Sequence, residues 1–185
     1  MTDQSLHFTP GPHNSRAFRD TLGCFATGVC VVTAETGAGP LGMTVNSFSA
    51  LSLDPPLVMW APARASRRFD GMVSAPAFAI HVLAADQEQL ARHFARSGTD
   101  FRFSGLERNG QGVLALPDVL ARFDCTRDAV HDAGDHAIVV GRVQAAISRA
   151  GAPLVFSRGQ MVTLAESADP HRRAARPTDF RPFPA

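Results

Sequence analysis

A chain of 185 residues has the length for one domain with a full hydrophobic core, and neither the length nor the internal repetition for two. Eighteen basic against seventeen acidic residues leave a formal net charge of +1, which provides no field for nucleic acid or an acidic membrane surface. The start, Met-Thr-Asp-Gln-Ser-Leu-His, has no basic segment leading into an apolar one, and no long uninterrupted apolar run follows, so a cytoplasmic location is expected. Cys24, Cys30 and Cys125 are odd in number and form no Cys-x-x-Cys pair, which argues against a disulfide framework or structural zinc and for buried thiols. Thirteen Phe, one Trp and no Tyr assign the large rings to the core and exclude tyrosine-based proton chemistry.

Asn14 or Ser15 can cap a helix on which Phe18, Leu22 and Phe25 share one face, ending near Gly28. Residues 29–34 then read as a buried strand, 36–40 as a turn and 41–45 as the antiparallel return. Pro55-Pro56 closes a polar run, after which 57–61, Leu-Val-Met-Trp-Ala, have the β-branched and aromatic content of a strand. Ser66 can cap a short helix carrying Phe69, Met72 and Val73, and residues 78–83 form a strand. Asp86 with Gln89 three positions on resembles a capping box for a helix over 87–95. Two long strands follow over 119–130 and 136–148, the second alternating only partly through Ile138, Val140, Arg142, Val143 and Ala145. Many strands with short helices predict an all-β fold with peripheral helices, closed as a barrel. Residues 1–165 make up that domain; 166–185, dominated by Pro, Arg, Ala and Asp, read as an extended tail.

The chemistry-bearing stretch is 42–56, where Thr44, Asn46, Ser47, Ser49 and Ser52 place neutral donors and acceptors in a strand-like apolar region with no charge before Asp54. Such a set suits the rim of a flat heterocycle and a sugar-like chain, and lacks the carboxylates of a cation site. The same residues can equally satisfy their own backbone in turns. Gly37-Ala38-Gly39-Pro40-Leu41-Gly42 matches G-x-G-x-x-G in form. No helical pattern follows it and no acidic residue stands about twenty positions on, so a hairpin turn is expected there instead of a dinucleotide loop.

Phe25-Ala26-Thr27-Gly28-Val29, the 42–56 run, Phe78-Ala79-Ile80-His81-Val82-Leu83, Gly134-Asp135-His136 and Pro153-Leu154-Val155 occur in the order and spacing of the flavin reductase family, across residues 15–165. The chain resembles the short-chain NAD(P)H:flavin oxidoreductases, the reductase components of two-component flavin monooxygenases. That resemblance implies a six-stranded-type, Greek-key FMN-binding split β-barrel with the flavin at a homodimer interface. It implies hydride transfer from NADH or NADPH to FMN, or to FAD, and delivery of reduced flavin to a separate monooxygenase. A flavin-binding redox carrier or sensor on the same barrel is the alternative.

The resemblance places Thr44, Val45, Asn46 and Ser47 along the flavin, with Ser49 assisting. It places Ser66 and Arg67 at the phosphate, where a helix start and a guanidinium favour a dianion, although the residue types also fit a solvated cap. His136 falls where the family has a catalytic-site histidine beside the nicotinamide; from its residue type alone it is a surface group at a strand end. His81 stands where the family often carries Asn. In Phe156-Ser157-Arg158-Gly159-Gln160-Met161, Arg158 reads either as a contact to flavin or dinucleotide or as a surface charge. Met161 replaces the family's usual aromatic, which removes a stacking ring from this segment.

Overall fold

The computed structural model describes residues 5–102 and 105–164, and the expected tail over 166–185 lies outside the described residues. A 3-10 turn at Pro12–Asn14 leads into α1 (Ser15–Leu22), followed by β1 (Thr27–Gly28), β2 (Cys30–Thr36), β3 (Gly39–Val45), β4 (Ser49–Leu53) and β5 (Pro56–Trp60). Then come α2 (Phe69–Ser74), β6 (Ala77–Val82), α3 (Glu88–Arg96), β7 (Glu107–Arg108) and β8 (Leu114–Ala115). The long strands β9 (Ala121–Ala133) and β10 (His136–Ser148) and the hairpin β11 (Leu154–Ser157) and β12 (Gln160–Thr163) complete the order. The all-β architecture with peripheral helices is the one observed, with a principal antiparallel sheet of seven strands, β3-β2-β6-β9-β10-β5-β4, in place of six. A smaller sheet, β1-β11-β12, stands beside it.

The apolar run of β2 explains why it lies in the middle of the molecule. Its residues are buried on both faces: Cys30, Val32 and Ala34 join Trp60, Phe78 and Ile80 in one cluster, while Val31, with Val29 just before the strand, joins Leu83, Phe94 and Leu154 in another, under α3. The β2–β3 connection is a two-residue turn with Thr36 paired to Gly39, whose φ of +104° suits glycine. The glycine fingerprint is therefore a hairpin, as expected. Helix α3 packs against β3 at Gly42, where a Cβ would stand 2.4 Å from the Phe94 ring.

Several local expectations are corrected. Helix α1 stops at Leu22, with Gly23 as its C-cap donating to the Arg19 carbonyl, because 27–28 turn into β1. The apolar side chains expected on its face do not enter the core: Phe18 and Leu22 of the helix are exposed, and so is Phe25 beyond its end, by 78%. Cys24 is exposed with them, whereas burial pushes the Cys30 and Cys125 thiols up to about 12. Arg68, not Ser66, occupies the N-cap of α2, and Ser66 Oγ accepts the Arg68 N–H in the preceding turn. Helix α3 has no side-chain cap, since its N-cap residue Gln87 bridges Ala84 N and the Pro117 carbonyl. β9 begins only at Ala121, because Leu116 and Val119 before it are drawn into the cluster under α3. Among the described residues no helix is long and apolar enough to cross a membrane.

Candidate functional site

The small sheet builds one wall of the site. Thr27 pairs with Phe156 and Gly28 with Val155, which brings the end of α1 to the β11–β12 hairpin. The hairpin turn is Arg158-Gly159, with φ of +47° and +79°, the left-handed pair that a two-residue connection requires. Arg158 N donates to the Gly23 carbonyl at 2.9 Å, tying the turn to α1. Between these elements and Asn46, at the end of β3, lies a cleft of about 860 Å³ with Thr27, Phe156 and Arg158 on its walls. A recess of about 210 Å³ shares Asn46 and Phe156 with it and is completed by Thr44, Val45, Ala95 and Met161. Cavities of this size, mostly apolar with a few placed polar groups, are typical of cofactor sites.

The sequence-predicted residues divide by what their side chains already do. Asn46 is exposed at both cavities with its amide uncommitted among the described residues, and Arg158 is exposed at the large cleft. Thr44 lines the recess, but its hydroxyl donates to the Ala91 carbonyl of α3 at 2.6 Å. The Val45 side chain packs in the core cluster. Ser47 Oγ accepts from Ala61 N at 2.9 Å and donates to Ala61 O at 3.2 Å, pinning the loop after β3 to the end of β5. Ser49 Oγ turns to the neighbouring Ala50 carbonyl. Ser66 and the exposed Arg67 stand in the turn before α2 and are not on the walls of either cavity.

His136, half-buried at the start of β10, holds the Asp135 carboxylate at 2.7 Å through Nδ1. That hydrogen bond, with the nearby Arg19 guanidinium as a lesser contributor, keeps the Asp135 carboxyl below the usual range. Arg19 itself lines the large cleft, whereas His136 is on the walls of neither cavity. Two guanidiniums, Arg19 and Arg158, against Asp20 give the cleft a rim suited to phosphate.

Residue-type reasoning left Thr27, Phe156, Arg19 and Arg68 without roles. Phe156 is the cross-strand partner of Met161, so an aromatic face is present at the cavities although position 161 does not carry it. Arg68, next to the residue expected at the phosphate, is instead a clamp: it donates to the carbonyls of Gly42, Phe94 and Ala95. Burial, with Arg67 beside it, lowers its pKa. Two adjacent arginines carry no sequence signal to tell them apart. An aromatic face, an uncommitted amide and a cationic rim around a cleft of this volume fit a flavin mononucleotide.

Residues 22–165 match the flavin reductase like domain family. The chain is 56% identical over 152 residues to the FMN reductase (NADH) SmoA of Agrobacterium fabrum, covering 82% of this chain and 87% of that protein. It is 38% identical over 148 residues to HsaB, the reductase subunit of a flavin-dependent monooxygenase from Rhodococcus jostii, covering 78% and 75%. The solved NADH:FAD oxidoreductase of Streptomyces globisporus superposes with a TM-score of 0.80 at 32% identity, covering 88% of this chain and 100% of the other.

Proposed function

The chain belongs to the flavin reductase like domain family, and on that premise we propose that it oxidises NADH or NADPH and reduces FMN, with FAD as a second acceptor. It then acts as the reductase component that supplies reduced flavin to a separate flavin-dependent monooxygenase. The observation that carries the reading is the meeting of Asn46, Phe156 and Arg158 on one cleft within the matched domain.

When bound, a flavin supplies the hydride acceptor and its electronics; the protein supplies alignment and water exclusion. Asn46 offers a donor and an acceptor to a heterocycle edge, Phe156 offers a flat apolar wall, and Arg158 and Arg19 offer charge to a phosphate. Thr44 contributes by fixing α3 beside the recess, and Val45 and Ser47 by setting the backbone that presents Asn46. The resemblance assigns Ser49, Ser66 and Arg67 to the flavin as well; they stand off the walls of both cavities, so their contacts are with a part of the ligand that extends beyond the cleft. Hydride transfer needs no acid–base pair at carbon, and His136 orients the nicotinamide or its phosphates. A second copy of the chain covers the exposed apolar residues Phe18, Leu22 and Phe25 of the α1 region and Leu51 and Leu53 of the edge strand β4, completing the site as a homodimer. The three unpaired cysteines accord with work in the cytoplasm.

The test follows nicotinamide absorbance with FMN, FAD and riboflavin added in turn. A flavin-dependent loss of NADH or NADPH is expected. Rates equal to the enzyme-free control for all three, with flavin still bound, would leave a flavin carrier in place of a reductase.

A further inference from the structure

The hydroxyl of Thr27 is the feature of the cleft that the fold does not account for. Thr27 lies on β1 opposite Phe156 and lines the large cleft, and its Oγ1 is hidden from solvent with no hydrogen-bond partner among the described residues. The hydroxyls of Thr44 and Ser47 nearby in sequence order are both committed to backbone groups. An unpaired hydroxyl withheld from water destabilises the free protein, and native structures rarely keep one without a reason. Valine has the same branched shape and suits a strand as well, so neither packing nor strand propensity requires the oxygen. Because it has no partner among the described residues, the hydroxyl is able to change rotamer toward a ligand in the cleft without breaking a protein hydrogen bond.

Asn46 shares the cleft and likewise holds no side-chain hydrogen bond among the described residues. We infer that Thr27 and Asn46 act as a pair that reads the –CO–NH– edge of a planar ring lying against Phe156. A hydroxyl can donate to the carbonyl or accept from the N–H, and the Asn amide supplies the complement. Two groups in the proposed reaction carry that edge: the pyrimidinedione of the flavin and the carboxamide of the nicotinamide. The inference rests on the flavin reductase reading and deepens it by naming the residues that recognise the ring.

The experiment uses full-length protein with Thr27→Val, which removes the oxygen and keeps the shape, and Thr27→Ser, which keeps the oxygen. FMN affinity is measured by fluorescence titration, KM and kcat with NADH by absorbance, and the melting temperature alongside. Thr27→Val should melt at or above wild type yet weaken one ligand by about 5- to 30-fold, with Thr27→Ser close to wild type. A loss in FMN affinity identifies the pyrimidinedione; a raised KM for NADH at unchanged FMN affinity identifies the carboxamide. Active wild type with a Thr27→Val variant unchanged in both constants overturns the pair, whether or not the melting temperature moves. A wild type that neither binds FMN nor oxidises NADH overturns the functional reading and the pair with it.

Discussion

Replacing Arg68 by Met tests whether a single side chain holds α3 to the sheet. Its guanidinium donates to Gly42 O at 2.9 Å, Phe94 O at 2.6 Å and Ala95 O at 3.1 Å. The last two belong to the final turn of α3, where a helix runs out of its own N–H donors. Met preserves much of the aliphatic stem, so the loss isolates the hydrogen bonds. A bond from a charged donor is worth about 1.5–3 kcal/mol. Ala95 is exposed and water can take over its carbonyl, and the two inward bonds share one nitrogen of a cation already penalised by burial. The net cost is therefore set at about 2–3 kcal/mol, which for a domain of this size lowers the melting temperature by about 4–12 °C. In urea the midpoint should fall with an unchanged slope. Arg67→Met, exposed beside it, should stay within about 0.5 kcal/mol of wild type and act only on FMN affinity. Equal midpoints for wild type and Arg68→Met would show that α3 is held by packing alone and refute the clamp.

Asn46→Ala should weaken FMN by about fivefold or more without moving the melting temperature, while Ser47→Ala should lose both bonds to Ala61 and about 1–2 kcal/mol of stability. A Ser47→Ala variant that melts normally and binds FMN poorly would return Ser47 to the ligand. His81 accepts the Leu116 N–H at Nε2 and therefore donates from Nδ1 to the Val31 carbonyl; burial lowers its pKa from 6.5 to about 4. The unfolded chain thus binds this proton first, and the contribution is complete above pH 6.5, falls as pH drops from 6.5 toward 4, and is flat below. Urea midpoints across that window should lose their His81 slope in His81→Asn, and a retained slope refutes the assignment. Iodoacetamide should label Cys24 in the native protein and reach Cys30 and Cys125 only after unfolding, and FMN should slow the Cys24 reaction because that residue lines the cleft. Equal labelling of all three natively would contradict the burial. His136→Ala should raise the KM for NADH or slow flavin reduction by about 1–3 kcal/mol at the transition state with FMN affinity unchanged. An unaltered reduction rate in rapid mixing makes it a surface histidine.

Periodicity and turn chemistry are local, and what they report survives folding. The apolar run of β2, the two-residue turn inside the glycine fingerprint, the start of β10 at His136 and the existence of the short helices α2 and α3 were all legible, because each depends on neighbours a few residues away. The order of the motifs likewise carried the family. The three-dimensional packing decided the rest. The apolar face of α1 has the pattern of a buried helix and yet lies open, since nothing in its own eight residues specifies what covers it. Asn46 and Ser47 are equivalent as turn formers, and only the approach of Ala61, fourteen positions on from Ser47, commits the serine hydroxyl, while the Asn46 amide has no partner among the described residues. Thr27 meets Phe156 through a strand pairing between distant parts of the chain. Arg67 and Arg68 are the same residue type side by side. One faces solvent and the other clamps a helix, because α3 comes close to β3 at Gly42 and places its terminal carbonyls within reach of the Arg68 guanidinium.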